Sequence, residues 1–501
     1  MPVLLAVRVE VSLSSDWTPL RWPCGPLDLE QSKDIQAVKE ALTAWLDPKA
    51  LSFLEGGPVN AILVSWAGGT ATDAKQQAAL QPVIAEAKKR NIAVLGRVTG
   101  EAPNAAKAAA AAGLSAIVTD TVVPSVGGLK VIPAVTPQQA AGIGSPLMAL
   151  TKSTWPRIPT QWRARDGKRG DSGGATGGGP TGAPWVESSG WICSLATAKA
   201  PGKKFWLLSE PPEDVIGYRP ATYQLAVADA AAYGAHWVVA FDADTRKALA
   251  SGGAKDTWKA VADAKQFFAA RKACLQRPEI ARLGILSDFD GPNEFIAEEM
   301  LNLTPRRAVP YRIMDLPKFK PTSLSGLKAV VWIDEKEPSG SARSALTAFV
   351  ADGGVLIAPA SSAGLVSGKP ASNFEGRFNV YNLGKGKVAI ASEPWSDPWV
   401  LCADTHLLLS RKHDMVRTFN AGSCNVRFTG TPGKGYLHVL SFTARTFGYP
   451  ASFYVAQPYK TARWSTLDSV QDQPIEIKPK GPGVEVHLPD FGPYALVEFG
   501  A

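Results

Sequence analysis

The sequence predicts an α/β protein in three parts. These are a barrel of eight parallel strands alternating with helices, a small doubly wound α/β domain, and an antiparallel β-sandwich. Short apolar runs alternate with helical patterns over residues 1–277, and a second alternation starts after Gln276-Arg277-Pro278. From 396 to 501, apolar and polar positions alternate in short runs separated by turn residues. These three patterns predict boundaries of 1–277, 278–395 and 396–501.

The first part contains eight apolar runs that are predicted to be strands, several of them followed by a helical pattern. Ile35, Val38, Leu42 and Trp45 show the spacing of one helix face, and the alanine-rich run 103–112 ends at Gly113, a typical helix C-cap. A strand–helix unit repeated eight times is typical of a (β/α)8 TIM barrel. The predicted strands are residues 3–10, 60–66, 92–98, 114–120, 129–135, 146–152, 205–210 and 236–242.

The other two parts are predicted from their own strand patterns. Residues 280–289 indicate a strand and 295–303 a helix, and further strands are predicted in YRIMDL, LKAVVWID and VLIAPA. This order is typical of a small flavodoxin-like α/β domain. Runs such as YLHVLSF (436–442), VEVHL (484–488) and YALVEF (494–499) alternate as the strands of a β-sandwich do.

Composition excludes several classes of function. With 45% hydrophobic and 20% charged residues, the chain has the composition of an ordinary globular protein. It has no apolar run of about 18 residues, so no membrane span is predicted. The net charge of +8 is scattered and forms no basic block, so no nucleic-acid partner is expected. The N-terminal run MPVLLAVRVEV is predicted to be a strand and not a signal peptide. The cellular compartment is left undecided, since a leader trimmed ahead of this run would make the protein secreted or periplasmic.

The cysteines and glycines leave two questions open. The five cysteines form no CxxC pair, so no zinc site is expected, and a disulfide between Cys402 and Cys424 is left open. Residues 167–182 hold eight glycines in sixteen positions but lack the GxxxxGK[ST] pattern of a phosphate-binding loop. A loop of this kind inside a barrel is either a plain flexible connection or a lid over a binding site.

Candidate site residues follow from the rule that barrel active sites lie at the carboxyl ends of the strands. Carboxylates, tryptophans and arginines gather there, and the one histidine near this set, His236, starts a strand and lies at the opposite face. No Cys–His pair, HExxH or GxSxG motif occurs, which argues against serine, cysteine and zinc hydrolases. No cofactor or metal is expected. The set is Glu10, Trp66, Arg97, Asp120, Trp155, Arg157, Trp185, Glu187, Trp191, Glu210 and Asp242.

The run KFWLLSEPPE suggests what this set does. Strand seven ends at Glu210, and Pro211-Pro212 turn the chain away, so the carboxylate is presented at the mouth. Asp120 ends strand four on the facing side. Two carboxylates flanking a bond suit glycoside hydrolysis, and the excess of tryptophan, 15 residues, suits either sugar stacking or a large core. The sequence predicts a glycoside hydrolase acting on an oligo- or polysaccharide, with the remaining residues of the set binding the sugar.

The middle part carries a resemblance to a known domain. LGILSDFDGPNEFIAEEMLNLTPRRAVPYRIMDL, followed by LKAVVWID and FVADGGVLIAPA, looks like an amidotransferase-like domain that lacks the nucleophilic cysteine of a GxCxG turn. Together with the barrel and the sandwich, it resembles the β-galactosidases that carry a trimerisation domain, and related glycoside hydrolases. The resemblance implies a structural middle domain that could form a homo-oligomer, either a dimer or a trimer.

The same resemblance implies roles for the carboxylates. In those enzymes a glutamate ending strand seven is the nucleophile, which matches Glu210. The acid/base is a glutamate preceded by asparagine at the end of strand four, where this chain has Thr119-Asp120. Glu187, in PWVESSGW, is therefore the substitute acid. Barrels whose nucleophile ends strand four would instead use Asp120 and Glu187.

Two other readings fit the sequence. One is a carbohydrate-binding or scaffold protein that keeps the barrel without catalysis, which would account for the imperfect strand-four motif. The other is a barrel lyase or isomerase acting on an acidic sugar. Arg97 or Arg157 would then clamp a carboxylate, and Lys152 or Asp242 would serve as the base.

Overall fold

The computed structural model has the three-part α/β architecture that the sequence predicts. The predicted strand at residues 3–10, and Glu10 with it, lies outside the residues that the structure describes. Those are residues 17–32, 35–121, 123, 126–158, 163–165, 186–443, 450–469 and 471–501.

The first part is a parallel (β/α)8 barrel. Its eight strands pair in chain order, and Arg21 N donates to Val239 O at 2.7 Å while Val239 N donates to Pro19 O at 3.0 Å, so the last strand meets the first. The strands are β1 (Pro19–Arg21), β2 (Ala61–Ala67), β3 (Ala93–Val98), β4 (Ala116–Thr119), β5 (Lys130–Val135), β6 (Leu147–Leu150), β7 (Lys204–Leu207) and β8 (His236–Trp237).

The first barrel position corrects the sequence prediction. β1 pairs with β2 at the position where the sequence predicts residues 3–10 to lie. The other seven strands overlap their predicted runs, because barrel strands are buried on both faces and are continuously apolar. A three-residue strand containing proline and arginine gives no such signal.

The connections between the barrel strands differ in length. Between β5 and β6 there is only a 3-10 turn, Gln139–Gly142. Another 3-10 segment is Pro48–Leu54, and a two-stranded ribbon pairs Arg163–Ala164 with Val215–Ile216. The helices are Pro26–Gln31, Gln36–Ala44, Asp73–Lys89, Ala105–Ala112, Gly190–Lys199, Pro220–Ala231, Ala243–Ala250, Lys255–Ala270 and Lys272–Leu275.

The middle part is a seven-stranded sheet with helices on it. The strands in spatial order are Tyr311–Asp315, Leu283–Ser287, Ala329–Trp332, Val355–Ala358, Gly386–Ala391, Phe378–Leu383 and Ser372–Phe374, the last two antiparallel. The helices are Glu294–Leu303, Gly340–Ala351 and Pro398–Leu409. Leu401, Cys402 and Leu409 of the last helix share a core with Leu283 and Ile285. The α/β core thus extends past residue 395, where the sequence placed a boundary.

The last part is a sandwich of two antiparallel sheets. One sheet has the order Val416–Phe419, Ala451–Val455, Gly483–Leu488 and Ile477–Lys480. The other has the order Cys424–Thr431, Lys434–Ser441, Tyr494–Gly500, Thr461–Thr466 and Gln473–Pro474. Cys424 lies in this core and Cys402 in the α/β core, and both are free thiols, so the disulfide left open by the sequence does not form.

The three parts share their apolar interiors. Tyr436, Leu440 and Tyr494 of the sandwich belong to the barrel core, while Leu195 of the barrel helix Gly190–Lys199 belongs to the α/β core. The barrel is therefore packed against both other parts. Among the described residues, no helix is long and apolar enough to cross a membrane.

Candidate active site

Arg21, at the end of β1, is the hub of a polar network at the carboxyl-terminal mouth of the barrel. Its Nη2 donates to Asp28 Oδ1 at 2.9 Å and to Ser65 Oγ at 2.8 Å, and its Nη1 donates to Leu63 O at 3.2 Å. Its Nε donates to Glu210 Oε1 at 3.2 Å. Burial by itself lowers the pKa of Arg21, but Asp28 and Glu210 raise that pKa above the ordinary value of arginine. Arg21 is a fixed cation that links β1, β2 and the end of β7.

Asp28 supplies the buried counter-charge of this network. It lies in the first turn of helix Pro26–Gln31, which starts with proline directly after β1. Its Oδ2 accepts from Cys24 N at 2.9 Å and its Oδ1 from Ser65 Oγ at 2.7 Å. Because Asp28 is 7% exposed and fully hydrogen-bonded, it holds Arg21 in place and is not available to a ligand.

Glu210 lies beyond β7 with its side chain 38% exposed. The strand end is fixed by Trp237, whose indole Nε1 donates to Ser209 O at 2.9 Å. Arg21 Nε at 3.2 Å and Arg97 Nη1 at 3.7 Å both approach Oε1 of Glu210. Among the described residues, Oε2 accepts no hydrogen bond. Oε1 is therefore anchored, while Oε2 has no hydrogen-bond partner in the part of the chain that the structure describes.

Arg97, at the end of β3, is less compensated than Arg21. Its side chain is 31% exposed, and its ion pair with Glu210 is the looser of the two. Burial lowers the pKa of Arg97, the charge of Arg21 lowers it further, and Glu210 and Asp120 oppose that shift. Asp120, exposed at the end of β4, thus acts on the same guanidinium as Glu210.

Arg21, Asp28, Glu210 and Arg97 line a cavity of about 320 Å³ at the barrel mouth, and Asp120 is not among its lining residues. It combines three guanidinium groups and three carboxylates with apolar and neutral polar groups. The lining residues are Arg21, Pro23, Leu27, Asp28, Gln31, Ser32, Val38, Leu42, Ser65, Arg97, Thr99, Glu210, Glu213 and Arg246.

Glu213 is the third carboxylate of the cavity. Glu213 lies three residues after Glu210. Its Oε1 accepts from Arg246 Nη2 at 2.7 Å, and its Oε2 accepts from Ala243 N at 3.0 Å. Burial raises the pKa of Glu213, and Arg246 lowers it in part. With both oxygens engaged, Glu213 ties the loop after β7 to helix Ala243–Ala250.

Asp242 has a structural role that the sequence did not predict. It was expected to bind the sugar, but it is buried and caps helix Ala243–Ala250 by accepting from Asp244 N at 3.0 Å and Thr245 N at 3.4 Å. The hydroxyl groups of Tyr223 and Thr245 also donate to it. An aspartate that starts a helix directly after a strand is a strong N-cap, and its oxygens are used up by that helix.

Arg157 and Glu187 contact each other instead of lining the cavity. Arg157 Nε donates to Glu187 Oε2 at 2.6 Å, and their backbones form an antiparallel bridge. The next residues are held by a helix: Ser188 Oγ donates to Asp229 Oδ1 at 2.6 Å and Ser189 N to Asp229 Oδ2 at 2.7 Å. Glu187 therefore stands on a fixed segment, 186–189.

Two tryptophans of the candidate set, Trp66 and Trp155, are buried away from the cavity. Trp66 is 1% exposed and donates to Ala105 O at 3.1 Å, so it packs between strand and helix. Trp155 is buried among Tyr218, Tyr223 and Trp237.

Of the other two tryptophans of the set, the structure describes one. Trp191 packs between the barrel and α/β cores. Trp185 lies outside the described residues. Neither Trp66 nor Trp155 lines this cavity, and the sugar-binding role expected of them stays a prediction.

Sequence reasoning missed half of the network. Arg21 ends a strand too short to recognise from the sequence, Asp28 lies in the short helix after it, and Ser65 lies inside β2. A signal existed for Glu213, which ends the same EPPE run that begins with Glu210. Arg246 carries no signal, since it lies one turn into a helix.

Comparisons with known proteins support the architecture. No family model matches the chain, and no curated protein matches it. A solved α-L-fucosidase isoenzyme 2 from Paenibacillus thiaminolyticus matches with a TM-score of 0.54 and 12% identity, covering 97% of this chain and 99% of that one. A β-galactosidase from Bacillus circulans sp. alkalophilus matches with a TM-score of 0.43 and 12% identity, covering 86% of this chain and 68% of that one. At such identity the likeness is one of fold.

Proposed function

We propose that this chain is a glycoside hydrolase that cleaves an oligo- or polysaccharide at the mouth of its barrel. The observation that carries the proposal is the environment of Glu210. Its carboxylate lies at the end of β7, in the cavity, with Oε1 anchored by two guanidinium groups and Oε2 free among the described residues. A carboxylate held in this way is preorganised for attack on an anomeric carbon.

The charge around Glu210 suits the chemistry. Arg21 and Arg97 stabilise the negative charge of the carboxylate and keep it oriented. An oxocarbenium-like transition state is positively charged at the sugar, and an ionised carboxylate beside it is stabilising. The similarity of the fold to a solved fucosidase along nearly its whole length supports a catalytic barrel of this kind.

Asp120 is proposed as the second carboxylate. It is exposed at the end of β4, and its charge acts on Arg97, which also pairs with Glu210. The charges of the two acids therefore act on one guanidinium, although only Glu210 lines the cavity. Glu187 is less suited, because Arg157 holds it at 2.6 Å. In this scheme Asp120 protonates the leaving oxygen while Glu210 Oε2 attacks the anomeric carbon.

The first test is hydrolysis of a panel of aryl glycosides and polysaccharides by the wild type and by Glu210→Gln. Loss of a nucleophile is expected to lower kcat by several orders of magnitude with the fold intact. Formate or azide added to Glu210→Ala is expected to restore turnover, because a small anion can enter the space of the missing carboxylate. Circular dichroism checks that each variant is folded.

Glu101→Gln is the matched control for this experiment. Glu101 is an exposed glutamate beyond the end of β3 and does not line the cavity, so its loss is expected to leave kcat unchanged. Full activity in Glu210→Gln would reject the assignment. A wild type that binds glycans without cleaving any would make the chain a carbohydrate-binding protein.

A second experiment tests Asp120. Asp120→Asn is expected to slow hydrolysis of glycosides with poor leaving groups about 100-fold or more, the range of general acid catalysis. Substrates with a 2,4-dinitrophenolate leaving group need no proton, so their bond cleavage is expected to be nearly unaffected. Equal losses on both substrate types would remove Asp120 from the role and favour Glu187.

A further inference from the structure

We infer that the sugar bound in this cavity carries an anionic group, a carboxylate or a sulfate ester, and that Arg97 binds it. The inference rests on the proposed function and specifies the class of substrate. It starts from the unequal compensation of the three guanidinium groups that line the cavity.

Two of the three arginines have their own counter-charge. Arg21 pairs with Asp28 at 2.9 Å, and Arg246 pairs with Glu213 at 2.7 Å. The counter-charges of Arg97 are looser among the described residues: its ion pair with Glu210 is 3.7 Å long and shares that oxygen with the closer Arg21, and Asp120 acts on it without forming an ion pair. Among the described residues Arg97 makes no hydrogen bond, although it is two-thirds covered by protein.

A guanidinium in this position attracts an anion. Its planar set of N–H donors matches the paired oxygens of a carboxylate or sulfate. Arg97 lines the cavity together with Glu210, so an anion on the sugar ring could reach Arg97 while the anomeric carbon faces Glu210. Thr99, on the same side, adds a neutral hydroxyl group to this part of the lining.

The reaction moves the negative charge at the barrel mouth from one acid to the other. When Oε2 of Glu210 attacks, a new C–O bond forms, the glycosidic bond breaks, and the proton of Asp120 passes to the leaving oxygen. The ester that results is neutral and Asp120 is now the carboxylate, so the net charge around Arg97 is unchanged. Glu210 no longer forms an ion pair with Arg97 while the intermediate lasts, and a carboxylate or sulfate on the sugar can then occupy the N–H donors of Arg97.

The test compares pairs of 4-nitrophenyl glycosides that differ only at C6: glucuronide against glucoside, galacturonide against galactoside, and galactoside 6-sulfate against galactoside. The wild type is expected to prefer the anionic member of at least one pair. In Arg97→Gln the preference in kcat/KM is expected to fall about 10- to 100-fold, as for loss of a hydrogen bond to a charged group. The carboxylate and sulfate pairs separate the two sources of the anion.

The ratio within each pair isolates the binding role. Any effect of Arg97 on Glu210 changes both members alike and cancels. Arg97→Lys, which keeps the charge and loses the fork, is expected to retain part of the preference. Arg343→Gln, a surface variant that loses one charge far from the cavity, is expected to leave every ratio unchanged. Thermal unfolding confirms that each variant folds.

Two results overturn the inference: a wild type that favours the neutral members, or a preference that Arg97→Gln does not alter. The first would leave the glycosidase proposal standing. If no glycoside is cleaved, calorimetric titration with glucuronate, galacturonate, glucose and galactose decides. Binding of an acid that is lost in Arg97→Gln supports the anion site without hydrolysis, and no such binding refutes it.

Discussion

Charge pairing around single residues sets what the barrel mouth can do. Arg21 is buried and satisfied on every side, by Leu63 O, Ser65 Oγ and two carboxylates. A buried ion pair of this kind gains little net stability, but it fixes geometry, because neither partner can move without leaving an uncompensated charge. Because Arg21 Nε donates to Oε1 of Glu210, the fixed position of Arg21 also restricts Glu210. The proposed nucleophile is thus positioned by a residue that has no reactive role in the proposed mechanism.

Asp229 gives a pH-dependent prediction at the same scale. It is 1% exposed, and burial raises its pKa to about 6 although Ser188 and Ser189 donate to it. Between its unfolded value of 3.8 and about 6, the native state binds more protons than the unfolded state. Its contribution to stability is therefore full at low pH and is lost as the pH rises through 6, by about 2–3 kcal/mol.

The comparison of wild type with Asp229→Asn isolates this contribution. The difference in their free energies of unfolding, from urea titrations, is expected to change between pH 4 and 6 and to level off above that range. Asp352→Asn, at an aspartate whose side chain is 88% exposed, is the control and is expected to show no such change. A flat difference for Asp229→Asn would mean that this carboxylate titrates as it does in the unfolded chain.

At the scale of elements, predictability depends on local signals. Strands β2 to β8 lie in apolar runs, most of them largely buried, and sequence alone places them. β1 becomes a strand through hydrogen bonds to Val239 and β2, which are far away in the chain. Helix Pro398–Leu409 is apolar on most of its faces, so its pattern does not say which core it joins. Only the packing on Leu283 and Ile285 assigns it to the α/β part.

The candidate site was predictable to the extent that strand ends converge. The rule that barrel sites lie at carboxyl ends placed Glu210 and Arg97 in one cavity. It failed for Trp66, because alternate strand residues face the helices and the sequence does not fix which ones. It also failed for Asp242, since a residue following a strand can as well start the next helix. The role of Arg246 could not be predicted from the sequence, because it depends on an ion pair with Glu213, which is distant along the chain.

At the scale of the whole molecule, the sandwich and the α/β part cover surfaces of the barrel. Tyr494 of the sandwich packs on Phe268 with ring centroids 4.8 Å apart, and Arg427 donates to Leu275 O at 3.0 Å. On the other side, Lys199 of the barrel forms a buried ion pair with Asp315 at 2.7 Å. These faces are used within one chain. A homo-oligomer through the middle domain stays a prediction and needs a different surface.

This packing predicts that the barrel does not fold alone. A fragment of residues 1–277 would expose Phe267, Phe268 and Leu195 and leave Lys199 without Asp315. Large exposed apolar patches favour aggregation over a folded monomer. Urea unfolding followed by circular dichroism and tryptophan fluorescence is expected to show one steep transition for the full chain and a shallow, non-cooperative change for the fragment. A monomeric fragment with its own steep transition would show that the barrel core is complete without the sandwich and the α/β part, and that the shared interior contributes to assembly and not to folding.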